Sequence, residues 1–128
     1  MNGEAALDTN AVVQILNGTL DPTQLGFDEI LVPMIVVGEL FFGAHKSTRI
    51  AENRRRLLDF LDLISIVAVD VEVAELYGRI KTQLRRIGKP IPENDMWIAA
   101  TAMRHGLPLI SNDKHFREVE GLRVIHWS

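Results

Sequence analysis

The stretch Glu4-Ala5-Ala6-Leu7-Asp8-Thr9-Asn10-Ala11-Val12-Val13-Gln14-Ile15-Leu16-Asn17-Gly18 decides the fold. A short apolar run over residues 4–7 halts at an acid, and a tight turn is predicted at Asp8-Thr9-Asn10. From Ala11 the spacing of apolar residues predicts a helix, which Gly18 stops. A strand that gives way so quickly to a helix is the opening of an α/β chain.

The same alternation continues outward. Residues 19–28 are rich in turn formers, and Ile30-Leu31-Val32-Pro33 predicts a second short strand. Helices are predicted over 36–46, with Val37, Leu40, Phe41 and Ala44 on one face, and over 51–63, with Leu57, Leu58, Phe60 and Leu61. The β-branched run 64–69 predicts a third strand. Asp70 is then placed to cap a long helix carrying Val73, Leu76, Tyr77, Ile80, Leu84 and Ile87 on one face, with Gly88 as its stop. After the rigid linker Lys89-Pro90-Ile91-Pro92, residues 94–105 are apolar nearly all round, the mark of a buried helix. Gly106 ends it, and strands are predicted over 107–111 and 122–127. Short strands separated by helices imply an α/β fold: a central, mostly parallel sheet of about five short strands between helical layers.

Composition narrows the class of protein. The chain has 128 residues, read as a single domain over 1–128, and 47% of them are hydrophobic. There is no cysteine, which excludes a disulfide scaffold, a thiolate zinc site and a cysteine nucleophile. The start Met1-Asn2-Gly3-Glu4 is acidic, unlike a secretory leader, and no apolar run approaches the ~20 residues of a membrane span. A soluble, cytoplasmic protein is expected. Net charge is −3, unevenly spread. Residues 1–45 hold six acids and no Lys or Arg, so the remainder holds all 14 bases against 11 acids. An acidic first third with basic stripes at residues 46–56 and 79–89 fits either solvated helix faces or a polyanion partner around an acidic centre.

In open parallel sheets, sites form beyond the carboxyl ends of the strands. Asp8 and Asp113 follow predicted strands, Asp95 lies in the first turn of the buried helix, and Glu39 lies one turn into the helix after the second strand. Singly, each acid has a plain structural reading. Asp95 can face its helix dipole, worth about 0.3–1 kcal/mol. Asp8 and Asp113 can form Asx turns, and Glu39 can sit on an exposed helix face. Jointly those readings weaken, because Asp8, Glu39 and Asp95 are embedded in strongly apolar stretches. Carboxylates drawn toward one apolar centre repel one another, and a hard divalent cation removes the conflict. Mg²⁺ or Mn²⁺ in such a cluster is what in-line hydrolysis of a phosphodiester requires.

Four segments in order then carry a family likeness: Leu7-Asp8-Thr9-Asn10; Val37-Gly38-Glu39-Leu40 with Phe42-Gly43-Ala44; Pro92-Glu93-Asn94-Asp95-Met96-Trp97-Ile98-Ala99-Ala100; and Ser111-Asn112-Asp113-Lys114-His115-Phe116. Together they resemble the acidic motifs of PIN-domain ribonucleases, above all the VapC-like toxins of bacterial toxin–antitoxin pairs. The resemblance spans essentially the whole chain and implies a PIN-like α/β/α sandwich. It implies Asp8, Glu39, Asp95 and Asp113 as catalytic, metal-binding acids, with Mg²⁺ or Mn²⁺ as cofactor. Asn10, Ser111 and Asn112 match polar positions beside them. It further implies an RNA substrate, a cognate VapB-like antitoxin and a homodimer. His115 stands where family members often have another acid.

Other side chains complete the expectations. Arg85, Arg86 and Lys89 precede the linker into the Asp95 segment and are candidates for RNA phosphate contacts, as is His115 at the rim. Glu93 is a candidate peripheral acid. Trp97 is assigned to the core, and Phe41 and Phe42 to core or subunit interface. Three alternatives stay open: a PIN nuclease of RNA processing, an inactive binding module, and a receiver-like phosphoacceptor domain. The last requires paired acids at the first strand, an acceptor such as Asp70 and a Lys after the fifth strand; here Asp8 stands alone and no Lys follows.

Overall fold

The computed structural model describes residues 3–128. Met1 and Asn2, part of the acidic start read above, lie outside the described residues. Strands β1 (Glu4–Leu7), β2 (Glu29–Pro33), β3 (Ser65–Val67), β4 (Leu109–Ile110) and β5 (Val124–Ile125) form one sheet in the order β3-β2-β1-β4-β5. Every pairing is parallel, so the mostly parallel sheet expected becomes a wholly parallel one. Parallel neighbours need crossovers, and five helices supply those up to β4: α1 (Thr9–Leu16), α2 (Met34–His45), α3 (Ile50–Leu61), α4 (Val71–Arg86) and α5 (Glu93–Arg104); from β4 to β5 the chain crosses through a short 3₁₀ turn instead. α1, α2 and α3 pack on one another, α4 runs along α5, and α2 meets α5.

Local chemistry sets the element ends. No turn forms at residues 8–10. Asp8 is instead the N-cap of α1 and accepts from the Ala11 amide, so Thr9 and Asn10 are already helical. Pro33 closes β2 at φ −60°, and α2 starts immediately after it, earlier than predicted. Asp70 caps α4 by accepting from the Val73 amide at 2.9 Å. Gly18 and Gly88, at φ +78° and +68°, take the left-handed conformation beyond α1 and α4 that other residues adopt at a cost.

The first two strands fall where predicted, but the last three are shorter. The third narrows to three residues, and the fourth and fifth to two each. Beyond β5, both backbone groups of Trp127 bond to the Asn112 side chain, which ends the ladder. Short 3₁₀ turns at Pro22–Leu25 and Lys114–Glu118 lie in segments without periodicity.

The core follows the central strands. Ala5, Ala6, Leu7, Val32, Leu109 and Ile110 are essentially solvent-free. Burying a side chain like Leu7 is worth roughly 1.5–3 kcal/mol. α5 buries Met96, Ile98, Ala99, Ala100 and Ala102, as its all-round apolar sequence requires. Ile87 departs from expectation: it lies past the last turn of α4 and is 47% exposed. Among the described residues, no helix is long and apolar enough to cross a membrane.

Candidate active site

The chain runs from β1 outward to β2 and β3, then returns past β1 to β4 and β5. The carboxyl ends of β1 and β4 therefore flank the point where the strand order reverses, where open parallel sheets form their binding crevice. Leu7 pairs with Ile110, so the next residues, Asp8 and Ser111, emerge side by side. The Ser111 hydroxyl donates to Asp8 Oδ2 at 2.5 Å, while Asp8 Oδ1 accepts from the Ala11 amide at 2.8 Å. Ser111 Oγ also accepts from the Asp113 amide at 3.0 Å. One small side chain thus ties the first acid to the fourth.

Asp8 is almost wholly buried. Burial pushes its carboxyl above the ordinary value; Ser111 and the Ala11 amide offset part of that, and the charges of Asp113 and Asp95 push it higher. Asp95 arrives from the first turn of α5. Its carboxyl is also raised, first by burial, and further by Asp113 and Glu39, with His115 acting in the opposite direction. Carboxylates that raise one another mark a site short of positive charge.

Asp113 caps the second 3₁₀ turn and accepts from the His115 amide at 2.9 Å. That turn swings the His115 ring inward, with Nδ1 3.0 Å from Asp95 Oδ2 and 3.2 Å from Asp113 Oδ1. One donor atom from each of Asp95, Asp113 and His115 lies within 4.8 Å of the others. Oxygen-rich donors at this spacing fit a divalent cation. Glu39 joins from α2: its Oε1 accepts from the Thr9 hydroxyl at 2.5 Å and its Oε2 from the Asn94 side-chain Nδ2 at 3.4 Å.

Other expected residues lie differently. Asn10 accepts from Gln14 on the exposed side of α1, and Asn112 holds Trp127, so neither is bonded to the carboxylates as Ser111 is. Glu93 is not a free peripheral acid. It accepts from Tyr77 Oη and, at 2.7 Å, from Lys81 Nζ, pairings that hold its carboxyl below the ordinary value. Trp97 is only half-buried and stacks on Tyr77, with ring centroids 4.0 Å apart. Arg85, Arg86 and Lys89 are exposed at the end of α4, where Lys89 lies 3.5 Å from Glu118. Asp70, the acceptor of the receiver-like alternative, caps α4 at the far strand β3 and lies 3.7 Å from Arg104. Thr9 and Asn94, which clasp Glu39, were not singled out from sequence. Their signal was their place beside Asp8 and Asp95.

Against known proteins, the family model described as PIN domain matches residues 5–122. The chain is similar to the ribonuclease VapC2 of Haemophilus influenzae, 36% identical over 126 residues that cover 94% of this chain and 96% of the relative. It is also similar to the tRNA(fMet)-specific endonuclease VapC of Shigella flexneri, 28% identical across 95% of this chain and 96% of that one. A chain of the crystal structure of VapBC2 from Rickettsia felis, bound to a DNA fragment from the promoter, superposes with a TM-score of 0.89 at 28% identity and full coverage of both chains.

Proposed function

Since the chain belongs to the PIN-domain family, we propose that it is a metal-dependent endoribonuclease that hydrolyses RNA phosphodiester bonds as the toxin of a toxin–antitoxin pair. The observation that carries this reading is the meeting of Asp8, Asp95 and Asp113 at the reversal point of the sheet, the carboxyls of the first two raised chiefly by burial and further by their acidic neighbours. Such a centre repels an RNA phosphate unless it holds a cation. The residues proposed to hold it are Asp8, Glu39, Asp95 and Asp113, with Mg²⁺ or Mn²⁺ as the ion. When bound, that cation polarises the phosphoryl oxygens, lowers the pKa of the attacking water and stabilises the departing 3′-oxygen.

The chain's own work is orientation. The Ser111 bridge fixes the Asp8 carboxylate against β4, and Thr9 and Asn94 hold both oxygens of Glu39. The Lys81–Glu93–Tyr77 cluster fastens the first residue of α5 to α4, and so steadies the turn that carries Asp95. Side chains pinned in this way meet a reacting group without reorganising, which is where much of an enzyme's rate enhancement lies.

The ribonuclease names of the relatives support RNA as substrate. The Rickettsia neighbour supports an antitoxin as protein partner. A groove of about 940 Å³ between α1, α2 and α3, lined by Leu16, Met34, Leu40 and Phe42 and reaching Thr9 and Glu39, offers an apolar surface for it. Phe42 is 66% exposed there, in keeping with a side chain that a partner, whether antitoxin or second protomer, covers.

Inducible expression in a bacterium tests the reading. Wild type should arrest growth and fragment RNA, whereas Asp8→Asn, which keeps an oxygen for the Ala11 amide, should do neither. Equal arrest by both proteins would contradict it.

A further inference from the structure

The geometry points to His115 as a metal ligand through Nδ1, making the centre a mixed nitrogen–oxygen site that prefers Mn²⁺ to Mg²⁺. This inference rests on the metal-dependent reading above and goes beyond its four acids. Three features carry it. First, Nδ1 stands at nearly equal distances from two carboxylate oxygens on different elements, 3.0 Å from Asp95 and 3.2 Å from Asp113. Donors at right angles, each ~2.1 Å from a shared octahedral ion, lie about 3 Å apart. Second, the ring's position is built into the backbone: the His115 amide donates to Asp113 Oδ1 and Phe116 beside it is anchored in the core, which fixes the turn. Third, Asp113 caps the 3₁₀ turn and His115 is its second residue, so the turn presents the two together, with Asp95 opposite.

Chemistry then selects the ion. Mg²⁺ favours oxygen donors and gives up its waters reluctantly, whereas imidazole nitrogen suits first-row transition ions. Exchanging an oxygen donor for a nitrogen weakens the site for Mg²⁺ relative to Mn²⁺. The competing explanation of the same distances is a ring that only donates a hydrogen bond to Asp95 and never touches the ion.

Mn²⁺ alone, added to the purified protein without RNA, separates these. Pulsed electron paramagnetic resonance of the bound ion should show coupling to a directly bound nitrogen in wild type. That coupling should vanish in both His115→Asp and His115→Gln, the second variant guarding against local misfolding in the first. Calorimetric titrations should show the Mn²⁺-over-Mg²⁺ preference falling on the order of tenfold in His115→Asp. Nitrogen coupling that survives both substitutions would overturn the assignment. So would bound Mn²⁺ without nitrogen coupling in wild type and with unchanged preference in the variant, an outcome that leaves the metal-dependent reading standing. Failure of wild type to bind either ion would overturn both.

Discussion

At the scale of the residue, Asp95, one of the proposed metal ligands, tests whether the centre trades stability for function. Its carboxyl is raised by burial and by neighbouring acids. A group raised in the folded state contributes stability below its ordinary pKa and loses it as pH rises through the raised one. In the metal-free protein at neutral pH, Asp95 is therefore a liability. Asp95→Asn removes the charge while an amide oxygen still faces His115. In EDTA it should melt about 2–5 °C higher, a gain of roughly 0.5–1 kcal/mol, with RNA cleavage abolished. The gain should fade as the pH falls below the ordinary carboxylate range, and thermal melts across pH would reveal it. A lower melting temperature at neutral pH would instead make Asp95 a stabilising first-turn acid. The acids were legible in the sequence because each interrupts an apolar run beside a strand end. Their props were less so. The family likeness pointed to Asn10, Ser111 and Asn112 alike, and only the pairing of β1 with β4 sets Ser111 against Asp8, while Asn112 turns outward to Trp127 and Asn10 accepts from Gln14.

At the scale of the element, the basic end of α4 is the proposed path of an RNA backbone to the centre. Gln83 donates to the Glu118 carbonyl and Lys89 lies near the Glu118 carboxylate, so this end of the helix abuts the 3₁₀ turn bearing Asp113 and His115. Arg85 acts on Glu93, at the start of the helix bearing Asp95. An RNA backbone entering the centre would pass these cations. Replacing Arg85, Arg86 and Lys89 by Gln should weaken RNA binding and leave the cleavage pattern unchanged. The log–log salt slope of binding should shrink by about 0.7 for every phosphate these side chains neutralise in the wild type. Titrations at several salt concentrations measure this, and an unchanged slope would confine these residues to solubility. Helix positions were legible here because α3 and α4 carry apolar residues at helical spacing, α4 between the Asp70 cap and Gly88, while α5 is an apolar run between Pro92 and Gly106. The 3₁₀ turn at Lys114–Glu118 was not, since five residues held by an Asp cap carry no period to read.

At the scale of the whole molecule, the alternation of strand and helix implied a parallel sheet, but not the order of its strands. Order depends on the direction of each crossover, which single-strand patterns do not encode. The order found, β3-β2-β1-β4-β5, is what turns acids 87 and 105 residues downstream of Asp8 into its neighbours. It also leaves the groove of α1–α3 opening at Glu39, so a partner seated there would lie against the centre itself. The central claim is that these gathered carboxylates form a cation-dependent RNA-cleaving site. Its most direct test is cleavage of RNA by the purified protein, first in EDTA and then after dialysis into Mn²⁺ or Mg²⁺. The account predicts intact RNA in chelator and fragmentation once the ion is restored; fragmentation undiminished by EDTA would contradict it.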